Sequence, residues 1–193
     1  MDINQAKEII GKQFGFIAED ANEVILYLNL PKNAKILDVG TGKGYFAILL
    51  ALNGYNVLTG EPESDDSIYS KQDWLSDAKK TGVDHLITFQ AFDAQNMLFD
   101  DSTFDAIFFF GVLHHIHEKD RIQVLQESVR TSKPNAVICF LEPNQDGMKM
   151  IKEFDSSHPV AADPGEYAKR LNLSQEKKKG RFFDSFIFKK EQP

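Results

Sequence analysis

The stretch Ile36–Ala51 (ILDVGTGKGYFAILLA) constrains this chain more than any other. Ile36, Leu37 and Val39 form a short apolar run that stops at glycine, which reads as a buried strand. Phe46, Leu49 and Leu50 then recur at helical spacing as far as Leu52. Between the two lies Gly40-Thr41-Gly42-Lys43-Gly44. A glycine-rich turn from strand to helix lets backbone approach a ligand closely and leaves the helix N-terminus facing it. A nucleotide or nucleoside site is expected there.

The spacing narrows the choice. Dinucleotide dehydrogenases use G-x-G-x-x-G. Gly40 and Gly42 fit that pattern, but Tyr45 stands where its third glycine belongs, which counts against a nicotinamide oxidoreductase. The pattern present is Asp-x-Gly-x-Gly-x-Gly, from Asp38 to Gly44. It resembles the first motif of the class I S-adenosylmethionine-dependent methyltransferases. The resemblance implies that Gly40, Thr41, Gly42 and Gly44 pass under the methionine part of the cofactor, with Asp38 approaching its amino group. Val57–Glu61 reads as a second strand, ending in Glu61-Pro62. A carboxylate about twenty residues past the glycine turn can accept hydrogen bonds from both ribose hydroxyls. The family more often has Asp at this point. After a third strand over Leu86–Phe92 comes Asp93-Ala94. By the same resemblance Asp93 accepts from the adenine amine, and the Ala94 amide donates to a ring nitrogen.

In chain order, residues 2–30 read as two amphipathic helices with a bend near Lys12–Phe16, covering one sheet face or closing over the cofactor. A helix is expected over 65–81, with Asp65 and Asp66 near its start, Ile68, Trp74, Leu75 and Ala78 on its apolar face, and Gly82 as its stop. Ala106–Gly111 reads as a fourth strand, apolar on both faces. A helix from Glu118 to Thr131 follows, then a break at Pro134-Asn135 and a fifth strand over Ala136–Leu141. This alternation specifies an α/β, Rossmann-like, doubly wound and mostly parallel sheet with helices on both faces. Ligands bind such sheets outside the carboxyl ends of the strands, where Asp38–Gly44, Glu61, Asp93, Gly111 and Glu142 all fall. Near the C-terminus, Met148–Phe154 and Gly165–Leu171 read as short helices, and Phe182–Phe188 resembles the family's antiparallel seventh strand. Leu171–Ser174 is the one candidate for a sixth. One domain is expected over 1–193, with a helical cap (1–33), a cofactor-binding core (34–145) and a C-terminal completion of the sheet (146–193).

A net charge of −7 argues against a nucleic-acid footprint, and Lys177–Arg181 reads as a solvated loop. The single cysteine, Cys139, excludes an internal disulfide and a cysteine metal cage. Met1–Lys12 is polar, so no secretory leader is expected, and no apolar run is long enough to span a bilayer. A cytoplasmic location is the expectation. The acceptor belongs over the ends of the fourth and fifth strands, near His114, His115, His117, Glu142 and Asn144. His114 and His115 are the general-base candidates, since imidazole titrates near neutrality. Leu-His-His-Ile also recurs in family members with different substrates, which gives it a structural share. The spacing of His114 and His117 lacks a partner set for a metal, and none is expected. Gly111-Val112-Leu113-His114 replaces the Asn/Asp-Pro-Pro-Tyr of amino-group methyltransferases. A small-molecule acceptor is therefore the leading class, with a protein side chain as the second. The short C-terminal region leaves one alternative open, a non-catalytic S-adenosylmethionine-binding subunit or regulatory module on the same fold.

Overall fold

The computed structural model describes residues 1–190. Helices α1 (Ile3–Ile10) and α2 (Lys12–Leu28) lead into β1 (Ile36–Val39), α3 (Tyr45–Leu52) and β2 (Val57–Gly60). Then come α4 (Trp74–Lys80), β3 (Ile87–Phe89), β4 (Phe104–Phe110), α5 (Glu118–Thr131) and β5 (Ser132–Pro143). The last elements are α6 (Gln145–Phe154), α7 (Pro164–Arg170), β6 (Leu173–Lys178) and β7 (Phe183–Lys190).

The strands form one seven-stranded sheet in the order β3-β2-β1-β4-β5-β7-β6. β1 pairs in parallel with both β2 and β4, so the strand order reverses between β1 and β4 and opens a crevice at their carboxyl ends. Every residue of β1 is buried, as a central strand covered on both faces requires. One face packs against α1, α2 and α3 through residues such as Phe14, Ile25 and Leu49. The other packs against α5 and α7 through Val124, Leu125 and Tyr167. β7 runs antiparallel to β5 and β6. Among the described residues, no helix is long and apolar enough to cross a membrane.

Several boundaries differ from the sequence expectation. The N-terminal break falls at Gly11 (φ 102), just before the expected bend, while Gly15 sits inside α2. The 65–81 helix shrinks to Trp74–Lys80, capped by the Asp73 side chain on the Ser76 amide. Asp65 and Ser70 instead close local turns: Asp65 Oδ1 accepts from the Ser67 amide, and Ser70 Oγ donates to the Asp65 carbonyl. Short polar side chains compete with the helix in this way, and Ile68 is left 76% exposed. β3 is only three residues long, Ile87–Phe89. β5 begins at Ser132, before Pro134, because its register with β4 shifts between Phe104 and Ala106 and accommodates a residue without an N–H. The sixth strand exists, but as Leu173–Lys178. It is an edge strand, exposed and charged along most of its length, so it carries no apolar period to read. Lys177 and Lys178 therefore belong to a strand, not a loop. Lys177 pairs with Asp184 at 3.0 Å, and Lys178 stands over the Tyr27 ring.

One polar contact ties the N-terminal helices to the C-terminal hairpin. The buried Asp20 carboxylate of α2 accepts from the amides of Arg181, Phe182 and Phe183 at 2.7, 2.6 and 2.8 Å. Phe16, one helical turn earlier, packs on Phe182 with ring centroids 4.4 Å apart.

Candidate functional site

The turn after β1 is built on backbone that only glycine tolerates. Gly40 has φ 87 and Gly44 φ 68, and a Cβ would stand 2.5 Å from Val112 Cγ2 at the first and 2.6 Å from Trp74 Cβ at the second. The turn closes with the Gly44 amide donating to the Thr41 carbonyl at 2.7 Å, and α3 starts at once. Above it, at the carboxyl ends of the strands, lies a cavity of about 630 Å³. That volume suits a nucleoside-sized ligand with room for a second small molecule.

Glu61, at the end of β2, lines this cavity and is only 8% exposed. Its Oε2 accepts from the Gly42 amide at 2.9 Å, and its Oε1 from the Lys71 amide at 2.6 Å. One carboxylate thus fastens the glycine turn to the 65–72 loop, which drapes over the cavity where a helix was expected. Lys71 takes φ 53 to make that contact. Each oxygen keeps a second lone pair for a ligand hydroxyl.

Gly40, Thr41, Gly42, Pro62, Asp93, Ala94 and Gly111 line the same cavity, together with His114 and His115. Asp93 Oδ1 accepts from the Gln95 amide at 2.8 Å, and its other oxygen makes no hydrogen bond among the described residues. Two expected residues do not reach the wall. Gly44 lies behind it as the N-cap of α3. Asp38 is 1% exposed and also stays beneath the turn. Its Oδ2 accepts from Thr59 Oγ1 at 2.8 Å, while its Oδ1 has no partner among the described residues. The start of α2 contributes Lys12, Gln13 and Phe16 to the wall, so α2 both covers the sheet and borders the cavity.

Burial, reinforced by the nearby charge of Glu61, pushes the Asp38 carboxyl up to about 7 against the opposing hydrogen bond from Thr59. The folded chain therefore holds this proton more tightly than the unfolded chain. The stabilisation from that proton is full below the unfolded value near 3.8 and is lost as pH rises through about 7. Asp38→Asn keeps an acceptor for Thr59 and cannot ionise. Between pH 5 and pH 8 the variant should gain about 2–3 kcal/mol on the wild type, because each pH unit between the two ionisation points is worth roughly 1.4 kcal/mol. Urea unfolding at the two pH values measures this, and an unchanged difference would remove Asp38 as the titrating group.

At the far end of the cavity a polar cluster forms from distant parts of the chain. His114 Nδ1 lies 2.6 Å from Glu142 Oε2, and Glu142 Oε1 accepts from the Leu113 amide at 3.0 Å. His114 Nε2 lies 3.0 Å from His158 Nε2. His158 Nδ1 lies 2.8 Å from the Tyr69 hydroxyl, which also bonds Asp155 Oδ2. The His115 ring packs on those of Tyr69 and His114 at 4.6 and 4.2 Å. Burial, then the charge of the neighbouring imidazoles, holds His115 and His158 below the ordinary imidazole range. His115 is still exposed on its outer side, so water moderates the effect there. Burial and the Asp155 bond push the Tyr69 hydroxyl up to about 12, whereas bonds from Ser157 and Tyr69 hold Asp155 down to about 2.

His117 and Asn144 are not part of this cluster. The first caps α5 and the second caps α6, with Asn144 Oδ1 accepting from the Asp146 and Gly147 amides. His158, Tyr69 and Asp155 escaped sequence reasoning. Tyr69 falls in the stretch that reads as a helix, and Asp155 and His158 fall in a polar segment with no apolar period, so no local signal joins them.

A doubly wound α/β sheet with a nucleoside-sized cavity over its switch point defines a Rossmann-like cofactor-binding protein. Within that class the chain belongs to a methyltransferase family: residues 12–186 match its methyltransferase domain. A protein from Pyrococcus horikoshii OT3 has the same fold, with a TM-score of 0.74 at 20% identity over 95% of this chain and 94% of that one. A SAM-dependent methyltransferase from Aquifex aeolicus superposes with a TM-score of 0.65 at 16% identity, over 97% and 98%. In sequence, the chain is 30% identical over 130 residues to 27-O-demethylrifamycin SV methyltransferase from Amycolatopsis mediterranei, covering 65% of this chain and 46% of the relative. It is 28% identical over 111 residues to norajmaline N-methyltransferase from Rauvolfia serpentina, covering 58% and 36%. The chain thus spans less than half the length of these curated relatives.

Proposed function

We propose that this protein transfers a methyl group from S-adenosylmethionine to a nucleophilic atom of a small molecule. The observation that carries the proposal is the cavity onto which Gly40–Gly42, Glu61, Asp93-Ala94 and the His114–His115 pair all converge. The residues present fit the cofactor. Gly40 and Gly42 bring bare backbone to the cavity wall, and a buried carboxyl oxygen beneath the turn, Asp38 Oδ1, is without a partner among the described residues. The glycines would carry the methionine part, Glu61 the ribose hydroxyls, and Asp93 with the Ala94 amide the adenine. A base pocket that hydrogen-bonds its ligand rejects analogues that leave its polar groups unpaired.

The bound cofactor supplies a methyl group already activated on a sulfonium, so alignment and a dry pocket matter more than polarisation. Phe16, Met150 and Ile151 make the inner wall apolar. Ile68 and Phe154, at 76% and 80% exposure, present an apolar rim. These surfaces suit an acceptor with an apolar body. The histidine end, with Glu142 behind His114, receives the acceptor's polar atom. Two curated relatives are named for low-molecular-weight acceptors, which supports the same acceptor class here.

Calorimetric titration with S-adenosylmethionine and with S-adenosylhomocysteine tests the proposal. Stoichiometric, micromolar-range binding of both is the expected result. Silence with both would overturn it.

A further inference from the structure

We propose that His114, His115 and His158 bind one divalent transition-metal ion of the zinc class at the acceptor end of the cavity. The protons along the chain Glu142–His114–His158–Tyr69–Asp155, whose first three members are buried, can be placed one by one. A carboxylate only accepts, so His114 Nδ1, 2.6 Å from Glu142, carries a proton, and neutral His114 presents a bare Nε2. At the other end Asp155 also only accepts, so Tyr69 gives its one proton to Asp155. His158 Nδ1 must then be the donor to the Tyr69 oxygen at 2.8 Å, and neutral His158 also presents a bare Nε2. The two bare nitrogens face each other at 3.0 Å in a buried setting. Lone pair against lone pair is repulsive, and the arrangement calls for one positive charge between them.

A shared proton would meet that need for two nitrogens. Three are gathered here: one ring nitrogen from each of His114, His115 and His158 lies within 4.8 Å of the others. Ligands around a tetrahedral zinc at about 2.0–2.1 Å stand roughly 3.4 Å apart. The His114–His158 pair is within a few tenths of an ångström of that spacing. His115, on the exposed side, would have to close in from within 4.8 Å to complete the set. The outer partners are those that metal-bound imidazoles require. Glu142 fixes the tautomer and ring of His114, and Tyr69 with Asp155 does so for His158. Imidazoles without a hard oxygen cage favour zinc, cobalt, nickel or copper over magnesium or calcium. The fourth position faces the cavity, which all three histidines line. The role of the site rests on the methyltransferase reading: an acceptor hydroxyl in that position becomes more acidic, with His114 serving as ligand rather than base.

The test is titration of the metal-stripped full chain with Co²⁺ alone, followed by displacement with Zn²⁺. The expected result is one equivalent bound, with the visible absorption of a nitrogen-ligated four-coordinate cobalt. His115→Ala, whose side chain is exposed, and His158→Gln should each weaken the site by at least roughly 100-fold, since even outer-partner losses cost up to that much. Circular dichroism confirms that both variants fold. Absence of stoichiometric binding in the wild type, or unchanged affinity in both variants, would overturn the metal and leave a shared proton. S-Adenosylhomocysteine calorimetry on the same samples keeps the two readings apart. Nucleoside binding without metal binding refutes only the metal, and loss of nucleoside binding refutes the methyltransferase reading.

Discussion

Replacing Glu61 with Gln is expected to weaken S-adenosylhomocysteine binding by about two orders of magnitude, close to 3 kcal/mol. The carboxylate accepts from two backbone amides at once, those of Gly42 and Lys71. A glutamine has one acceptor oxygen and one NH₂, so one of those amides would face a donor. An unsatisfied buried donor costs roughly 1–3 kcal/mol, and the charge-assisted character of the surviving bond is lost as well. The same change removes the anionic acceptor offered to the ribose. Trypsin supplies a second readout, because Lys71 is a cleavage site at the anchored point of the 65–72 loop. Faster cutting there in the variant shows that Glu61 holds the loop down. Affinity within threefold of the wild type would mean that Glu61 is neither the ribose acceptor nor the fastener of the turn.

The second large effect concerns stability. Asp20→Ala should cost about 3–5 kcal/mol, because three backbone amides in the hairpin turn lose a charged acceptor together. For a chain of this size that corresponds to a fall in Tm of roughly 10 °C. The turn has little freedom to find other partners. A Cβ on Gly180 would already lie 2.1 Å from the Phe183 carbonyl and 2.8 Å from Asp20 Cγ. Phe16 packs on both Phe182 and Phe183, so loosening the turn also disturbs the aromatic contact of α2 with β7. Differential scanning calorimetry measures the shift. A change under 3 °C would show that water replaces Asp20 at little cost.

Much of the sheet was legible because its signals are local. Ile36–Val39 is apolar at three of its four positions and stops at glycine, and the observed strand has those bounds. Glu118–Thr131 carries a helical apolar period and an acidic first turn, and α5 spans it. The errors fall where tertiary contacts override local preference. Residues 65–73 look helical by apolar spacing, yet Glu61 draws the Lys71 amide into a left-handed turn over the cavity. β6 carries no apolar alternation because it lies at the sheet edge and gains its order from pairing with β7.

The alternation of the sheet and its glycine turn are written in contiguous residues, because apolar period and backbone permissiveness are local properties. Glu61 reaches the cavity wall directly after β2, and Asp93 and Ala94 reach it from the loop that follows β3. Long-range packing, by contrast, puts Asp38 beneath the turn and makes Glu61 hold two segments together. It also brings His158 and Tyr69 to His114 from loops far away in the chain. Those outcomes depend on which hydrogen-bond donors and acceptors packing brings face to face, and no local pattern in the chain encodes that.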